Sequence, residues 1–471
     1  MEEQPQQQDS GDHEAQDETQ DESQPKYDKW LAMEGTDPAH RGQSGVDPET
    51  GWRWENRAIG MTRNAQTKNR KWLKVFLDPD PHVVKDQNVP LRGWYKARNE
   101  LPGVRPRPCF TEALLTQPYG GSCPVRCQFC YINNGIRGYR GQGITVLDPS
   151  YPDKISKQMR SIRTATAFYI SSFTEPFQPR LEAHYHNTER TAQVATHYGL
   201  PIFFLSRQVP PDWAIDQLRH NQYSYQQFSI NTPCENDWRK LSPFAATLPE
   251  LLDAVEMMNK AGVYVSIQCN PITPGVTSNE QIVELIHTLA ARGADHVIFK
   301  FVEIVSPTAK SMMKRIDRLF PDRAPIFREL FTETIGHMRT VKEEYRLNAL
   351  KLFKKETQKA GITMGLCYEY TYERDAAGKI LNKTGISLGH PSFGLVTADQ
   401  CHGRRVPMFS RASAGDVFEE ITDCPPSGCL YCGKEKEHGL PPCGSNFLGE
   451  AKALRPVDLK ETGWTRKHGN G

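Results

Sequence analysis

Between residues 106 and 305 short runs of β-branched and aromatic residues alternate with helical stretches, and this alternation narrows the possible folds more than any other feature. The runs lie at Ala165–Phe173, Pro201–Arg207, Tyr225–Asn231, Val263–Asn270 and His296–Ile304, with a first strand near Ala113–Gln117. Between them, Leu251, Leu252, Val255 and Met258 recur on one face of Pro249–Ala261. Thr247 and Glu250 stand at capping-box spacing before it, and Ser278 and Gln281 repeat that spacing before Ile282–Leu289. Strands that alternate with helices build a parallel sheet from βαβ units. Six such units predict an α/β fold of partial (β/α)6 barrel type, with functional residues in the loops after the carboxyl ends of the strands.

Charge is unevenly placed. The 471-residue chain has a formal charge of +2, yet residues 1–25 hold nine acids and no Lys or Arg. Removing those nine from the 56 acids leaves 47 against 58 basic residues, a net +11 over residues 26–471. The tail is expected to be a disordered acidic segment, and the basic body suits a polyanionic partner. Residues 26–105 hold Trp30, Trp52, Trp54, Trp72 and Trp94 among many cations. They read as an irregular extension whose tryptophans either pin it to the body or meet nucleic acid. Residues 306–400 read as charged helices (Lys310, Lys314, Arg315, Arg318) followed by a strand segment that completes the barrel. Residues 401–450 are cysteine-rich and 451–471 a tail. The default reading of the helical charges is a solvated face. No run of eighteen apolar residues occurs and the N-terminus is acidic, so no membrane segment or secretory signal is expected. The expected location is the cytoplasm, or the host cytoplasm if the source is viral.

Twelve cysteines are too few for a disulfide scaffold, and they cluster. Cys123, Cys127 and Cys130 fall within eight residues just after the first strand. Three thiolates from one loop can hold three corners of a [4Fe–4S] cluster and leave one iron open, against the plainer alternative of a structural zinc. Cys424, Cys429, Cys432 and Cys443 form a second group able to close either an iron–sulfur cluster or a zinc site, with Cys367 and Cys401 upstream as possible extras.

The spacing C-x3-C-x2-C followed by Tyr131 resembles the radical S-adenosylmethionine (SAM) superfamily. Ser171-Ser172-Phe173-Thr174-Glu175-Pro176-Phe177-Gln178-Pro179 with Glu182 resembles the T-[DE]-P-[FY]-Q-P-x-x-E segment of its spore photoproduct lyase-like branch. Ser206-Arg207, Ser229-Ile230-Asn231 and Asn270-Pro271-Ile272-Thr273-Pro274-Gly275 resemble that branch's later strand ends, in order. The resemblance spans roughly residues 106–305. It implies a radical SAM barrel, a [4Fe–4S] cluster, SAM cleaved to a 5′-deoxyadenosyl radical, and an external electron donor such as flavodoxin or ferredoxin. It also implies that Tyr131 lies against the adenine. Ser171, Ser172, Thr174 and Glu175 would hold the SAM amino group, Ser206 and Arg207 its carboxylate, and Ser229 and Asn231 the ribose. A C-terminal auxiliary cluster is common in that superfamily.

One departure matters for the reaction. Where the branch carries a cysteine hydrogen-atom donor, this chain has Ser172, whose O–H bond is too strong for that role. Cys269 is the candidate replacement, against the plain alternative of a small buried apolar residue. An isomerisation, which needs no external donor, is the other way out. The expected substrate is a thymine-derived base in DNA or a nucleotide, modified or isomerised (as in phage thymidine hypermodification) rather than repaired. A peptide or small molecule is the alternative. If the acidic tail competes with DNA, deleting residues 1–25 tightens DNA binding at low salt in a fluorescence titration; unchanged affinity removes the tail from this account.

Overall fold

The computed structural model describes residues 42–60, 70–86, 113–130 and 143–420, except 161, 163, 172, 337, 384–387, 390–392, 399–400, 405, 408, 412 and 414. The chain begins with β1 (Ser44–Val46), β2 (Arg53–Gly60), β3 (Arg70–Phe76) and β4 (His82–Val84), followed by β5 (Ala113–Thr116), β6 (Tyr119–Gly121) and β7 (Thr145–Leu147). All but β5 form one six-stranded sheet, ordered β1-β2-β3-β4-β7-β6. The irregular extension expected from sequence is therefore regular over its described part. Leu73 and Val75 alternate inward on β3 between basic residues, and that alternation is masked when the charges are read as a block. Several of those charges are paired inside the sheet: Lys74 with Asp47 at 3.0 Å and Arg53 with Asp78 at 2.8 Å. Trp52 packs on His82 and, across the boundary, on His184 and Tyr185, so this tryptophan pins the sheet to the barrel.

The chain continues through α1 (Tyr151–Met159), β8 (Thr164–Ala165), β9 (Ala167–Ile170), α2 (Pro179–Tyr185), α3 (Asn187–His197), β10 (Ile202–Ser206), α4 (Asp212–Arg219) and β11 (Tyr225–Phe228). Next come α5 (Glu235–Leu241), α6 (Leu248–Lys260), β12 (Tyr264–Ile272), α7 (Asn279–Ala291), β13 (His296–Phe301) and β14 (Glu303–Val305). Both capping boxes are present, closing α6 and α7 at their first turns. The central sheet is parallel and runs β17-β13-β12-β11-β10-β9-β5, open between its edges.

All six expected strands are there, and the strand segment expected after the charged helices joins them as a seventh. After α8 (Ser306–Leu319), α9 (Ala324–Leu330), β15 (Glu333–Ile335), β16 (Met338–Thr340) and α10 (Glu343–Ala360), β17 (Thr363–Leu366) pairs with β13. Its four residues sit a long helical excursion away from β13, so no local repeat announces the pairing. β14, β15 and β16 form a small antiparallel sheet beside the barrel's carboxyl-terminal mouth. The chain then runs through β18 (Tyr372–Arg374), β19 (Ile380–Lys383), β20 (Phe409–Ser410) and β21 (Glu419–Glu420). Among the described residues no helix is long and apolar enough to cross a membrane.

The opposite, amino-terminal end of the barrel is sealed by residues near 401–411. His296 opens β13; its Nε2 donates to the Cys401 carbonyl at 2.8 Å, and its Nδ1 lies 2.8 Å from Thr363 Oγ1. His402 meets the Tyr225 hydroxyl and lies edge-on to Phe203. Two glycines permit the approach: a Cβ at Gly365 would collide with the Cys401 carbonyl, and one at Gly403 (φ +78°) with the His296 ring. Arg411 donates to the Ile162 carbonyl at 2.9 Å and stacks over Tyr198 and Phe418.

Burial depresses both imidazoles, His296 to about 4 and His402 to about 3. An unfolded chain takes up protons below about pH 6.5 that this seal refuses, so the stabilisation is complete above that pH and is lost as pH falls towards 4. Denaturant titrations between pH 6.5 and 4.5 should show a loss of up to about 1.4 kcal/mol per pH unit for each histidine, and His402→Gln should shallow the slope. Equal slopes in the two proteins would show that His402 does not carry the effect.

Candidate functional site

The carboxyl ends of the central strands surround a cavity of about 500 Å³. Its wall holds Cys123, Cys127, Cys130, Ser171, Thr174, Glu175, Ser206, Arg207 and Ser229, so nine residues singled out from sequence meet in one place. Cys269 and Asn231 are not on that wall, while Tyr131, Ser172, Cys424, Cys429, Cys432 and Cys443 lie outside the described residues. Every described cysteine is a free thiol.

The cysteine loop leaves β6 and turns through Arg126, whose φ is +53°. It is tied to the end of α5: the Gln128 N–H donates to the Leu241 carbonyl (2.8 Å), and Ser242 Oγ lies 3.5 Å from Cys127 Sγ. Burial, reinforced by the neighbouring Cys127 and Cys130 and by Glu175, pushes the Cys123 thiol well up. Three cation-seeking sulfurs thus crowd one another. Among the described residues no three His, Cys, Asp or Glu side chains converge on a single ion's position. A cubane does not require that, because each cysteine serves a different iron.

Glu175 organises the polar wall. It is buried and accepts from Ser206 Oγ (2.6 Å), the Arg207 N–H (2.9 Å) and the Phe177 N–H (3.1 Å). Burial outweighs these donors and pushes its carboxyl up to about 7. Ser206 also accepts from the Gln208 N–H (2.8 Å). The Thr174 hydroxyl is likewise held, donating to the Tyr119 carbonyl (2.6 Å) and accepting from the Gln117 amide (2.5 Å). Arg207 reaches the Asn270 carbonyl (3.1 Å) and Ser242 (3.2 Å) and stacks on Phe129 and Trp238. Its guanidinium forms no ion pair among the described residues, which leaves a buried positive charge at the wall.

Ser171 is the clearest sign of a missing partner. It is 1% exposed, has φ +63°, lines the cavity, and its Oγ meets no hydrogen-bond partner. A left-handed serine with an orphaned buried hydroxyl costs free energy that a bound ligand would offset. The donor set fits a [4Fe–4S] cluster with SAM: three thiols, an orphaned acceptor and a carboxylate for an ammonium, and a cation for a carboxylate.

Other positions fall elsewhere. Asn231 gives its amide to the Pro271 carbonyl (3.0 Å), and its buried Oδ1 has no partner. Glu182, the last residue of the motif, accepts from Tyr119 Oη (2.5 Å) and from the Thr188 and Glu189 N–H groups (3.0 and 2.8 Å), securing the start of α3. Cys269 is fully buried in the apolar core, and burial pushes its thiol up. Successive strand residues face opposite ways, and it is the next residue, Asn270, that lines the cavity.

Sequence reasoning missed Lys300 and Glu303, and read Cys367 only as a possible extra ligand beside the second cysteine group. Lys300, Glu303 and Cys367 line the same cavity at the ends of β13, β14 and β17. Lys300 Nζ donates to Glu303 (2.9 Å) and the Tyr368 carbonyl (3.0 Å), and Glu303 also meets Lys383 at 2.7 Å. Burial opposes both charges, but Glu303 and Glu369 hold the Lys300 ammonium above its ordinary range, while Lys300 and Lys383 keep Glu303 down at about 2. Buried charges on a strand that otherwise reads as core were the available signal.

No family model matches the chain. It is 44% identical over 425 residues, 88% of its length and 87% of the relative's, to the radical SAM Nalpha-GlyT isomerase of Pseudomonas phage M6. The chain belongs to the radical SAM enzymes. That family implies SAM and a [4Fe–4S] cluster as its cofactors. Among solved structures, spore photoproduct lyase complexed with dinucleoside spore photoproduct aligns at a TM-score of 0.42 and 15% identity, over 60% of this chain and 80% of that one. SuiB of Streptococcus suis aligns at 0.31 and 12%, over 54% and 58%.

If the three-cysteine loop carries the cluster, Cys127→Ala abolishes both the brown iron–sulfur absorbance at this site and dithionite-dependent release of 5′-deoxyadenosine from SAM. Equal release by the variant would overturn the assignment.

Proposed function

We propose that this radical SAM enzyme isomerises a thymine-derived base in DNA. The observation that carries the reading is the 44% identity, spanning nearly all of both chains, to an enzyme named as an isomerase of Nalpha-GlyT. When bound, the cluster and SAM supply one-electron cleavage and a 5′-deoxyadenosyl radical. Cys123, Cys127 and Cys130 hold three irons, Ser171 and Glu175 receive the SAM ammonium, and Arg207 meets its carboxylate. Glu175, half-ionised near neutral pH when alone, becomes a full carboxylate beside that ammonium. Ser229, on the cavity wall, would meet a ribose hydroxyl, while Ser206 fixes Glu175 and Thr174 fixes its loop. A rearrangement fits the absence of a cysteine at position 172, because the abstracted hydrogen can return to the product. Cys424, Cys429, Cys432 and Cys443 form a closed auxiliary site, an iron–sulfur cluster before zinc, and a flavodoxin or ferredoxin serves as electron donor.

DNA is favoured by α8, which continues from the cavity-lining β14. Lys310, Lys314 and Arg318 recur every fourth residue on its exposed face, with no acidic partner among the described residues. At 1.5 Å per residue this stripe spans roughly 12 Å, the axial length of about three to four nucleotides of one strand.

The test is an oligonucleotide titration across salt. Binding should weaken steeply, and alanine at Lys310, Lys314 and Arg318 together should lower the slope of log affinity against log salt by about 2 to 3. A flat response in the unaltered protein would remove DNA and favour a peptide or small-molecule substrate.

A further inference from the structure

A cluster that takes its electron from outside needs a surface where a carrier can come close to the cysteines. Phe244 is 57% exposed and Val209 41%, whereas Phe168, Phe203, Phe204 and Phe228 of the central sheet are buried. The two exposed residues belong to one patch, because the Gln208 side-chain amide donates to the Phe244 carbonyl at 2.8 Å. The Phe244 N–H in turn donates to the Val125 carbonyl (3.4 Å), within the cysteine loop. Two residues before Phe244 stands Ser242, whose Oγ lies 3.5 Å from Cys127 Sγ. An exposed aromatic ring is thus carried on the same short stretch of chain that touches a cluster cysteine. Arg126 completes the patch. It is exposed, and its guanidinium lies 5.3 Å from the Phe244 ring centroid with no acidic partner among the described residues. Its backbone is left-handed (φ +53°), so the loop carries a cation where glycine would be the easier residue. Neither Cys123–Cys130 nor Ser242–Ala246 contains an acid, and none of Phe244, Val209 and Arg126 lines the cavity.

Contiguous apolar surface marks a binding face more often than single exposed residues do. Electron-transfer encounters are small and transient, and complementary charge steers them. An aromatic ring, an aliphatic neighbour and an unpaired cation beside the cysteine loop meet those needs with few residues. Resting on the cluster reading above, we propose that Phe244, Val209 and Arg126 form the docking face for an acidic, FMN-bearing carrier protein. A carrier of that kind presents the apolar dimethylbenzene edge of its flavin, which the Phe244 ring receives edge-to-face or offset. Acids around the flavin meet Arg126. One electron leaves the reduced flavin and enters the oxidised cluster, and no bond forms or breaks. The electron enters beside Cys127, away from the cavity wall, and the cavity is left to SAM and substrate.

The experiment mixes full-length, cluster-reconstituted protein with prereduced flavodoxin, freeze-quenches the mixture and counts reduced cluster by its EPR signal. Dithionite, which needs no docking face, is the comparison reductant. Phe244→Ser should lower the rate constant for reduction by flavodoxin about tenfold, and Val209→Ser should lower it less. Arg126→Gly removes the charge and suits the left-handed backbone; it should slow reduction at low salt and flatten the salt dependence. Dithionite should reduce the cluster of every variant at the unaltered rate. Unchanged flavodoxin rates overturn the docking face. So does a parallel fall with both reductants, because the substitutions then act on the cluster loop itself. An acidic [2Fe–2S] ferredoxin that is as sensitive to Phe244→Ser as flavodoxin overturns the match to a flavin. Flavodoxin affinity is measured alongside. If the unaltered protein takes up no cluster yet binds flavodoxin more tightly than the Phe244→Ser variant, the cluster reading fails and the face stands; equal affinities overturn the face.

Discussion

The site is built around one buried carboxylate. Glu175 stands in the loop after β9 and takes donors from the end of β10 and from its own loop, so two neighbouring strand ends are locked by a single group. Removing a carboxylate from water is costly, and three hydrogen bonds do not fully offset the penalty, as its raised pKa records. A group left in that state is poised for a cation. The rigidity of the parallel sheet makes this possible, because the strand ends it joins cannot spread to relieve the strain.

The cavity is therefore polarised between two charged ends. Glu175, Ser171 and Arg207 form one, beside the cysteine loop; Lys300 and Glu303 form the other, beneath the small sheet that carries α8. Apolar residues such as Phe129, Leu205 and Phe301 line the same cavity. At the barrel's other end His296, His402 and the backbone of Cys401 pack against the sheet. Each end has its own task, with chemistry at the carboxyl ends of the strands and stability at the amino ends.

Much of the near wall was legible in the linear chain, because its chemistry is local. Three cysteines on one loop, a Thr-Glu-Pro segment and a Ser-Arg strand end each keep their identity at short spacing. Even so, folding redistributed the roles within them. Glu182 supports the start of α3, Ser206 bonds to Glu175, and Thr174 ties its loop to the Tyr119 carbonyl. Cys269, read as a possible donor, faces the core because its neighbour Asn270 takes the inward position. Among the basic residues around β2 and β3, Lys74 and Arg53 pair with Asp47 and Asp78, distant enough in sequence to escape a local reading.

By itself, the sequence determined the alternation of strands and capped helices, hence a parallel α/β sheet, and the three-thiol loop that marks the family. These depend on periodicities and spacings of a few residues. Only the tertiary structure decided that residues near 401–411 seal the base of the sheet, and that Lys300, Glu303 and Cys367 share a cavity with Cys123. Those facts rest on pairing between segments from tens to more than two hundred residues apart. They also rest on which face each strand residue presents, and register between distant strands is fixed by packing rather than by any local pattern.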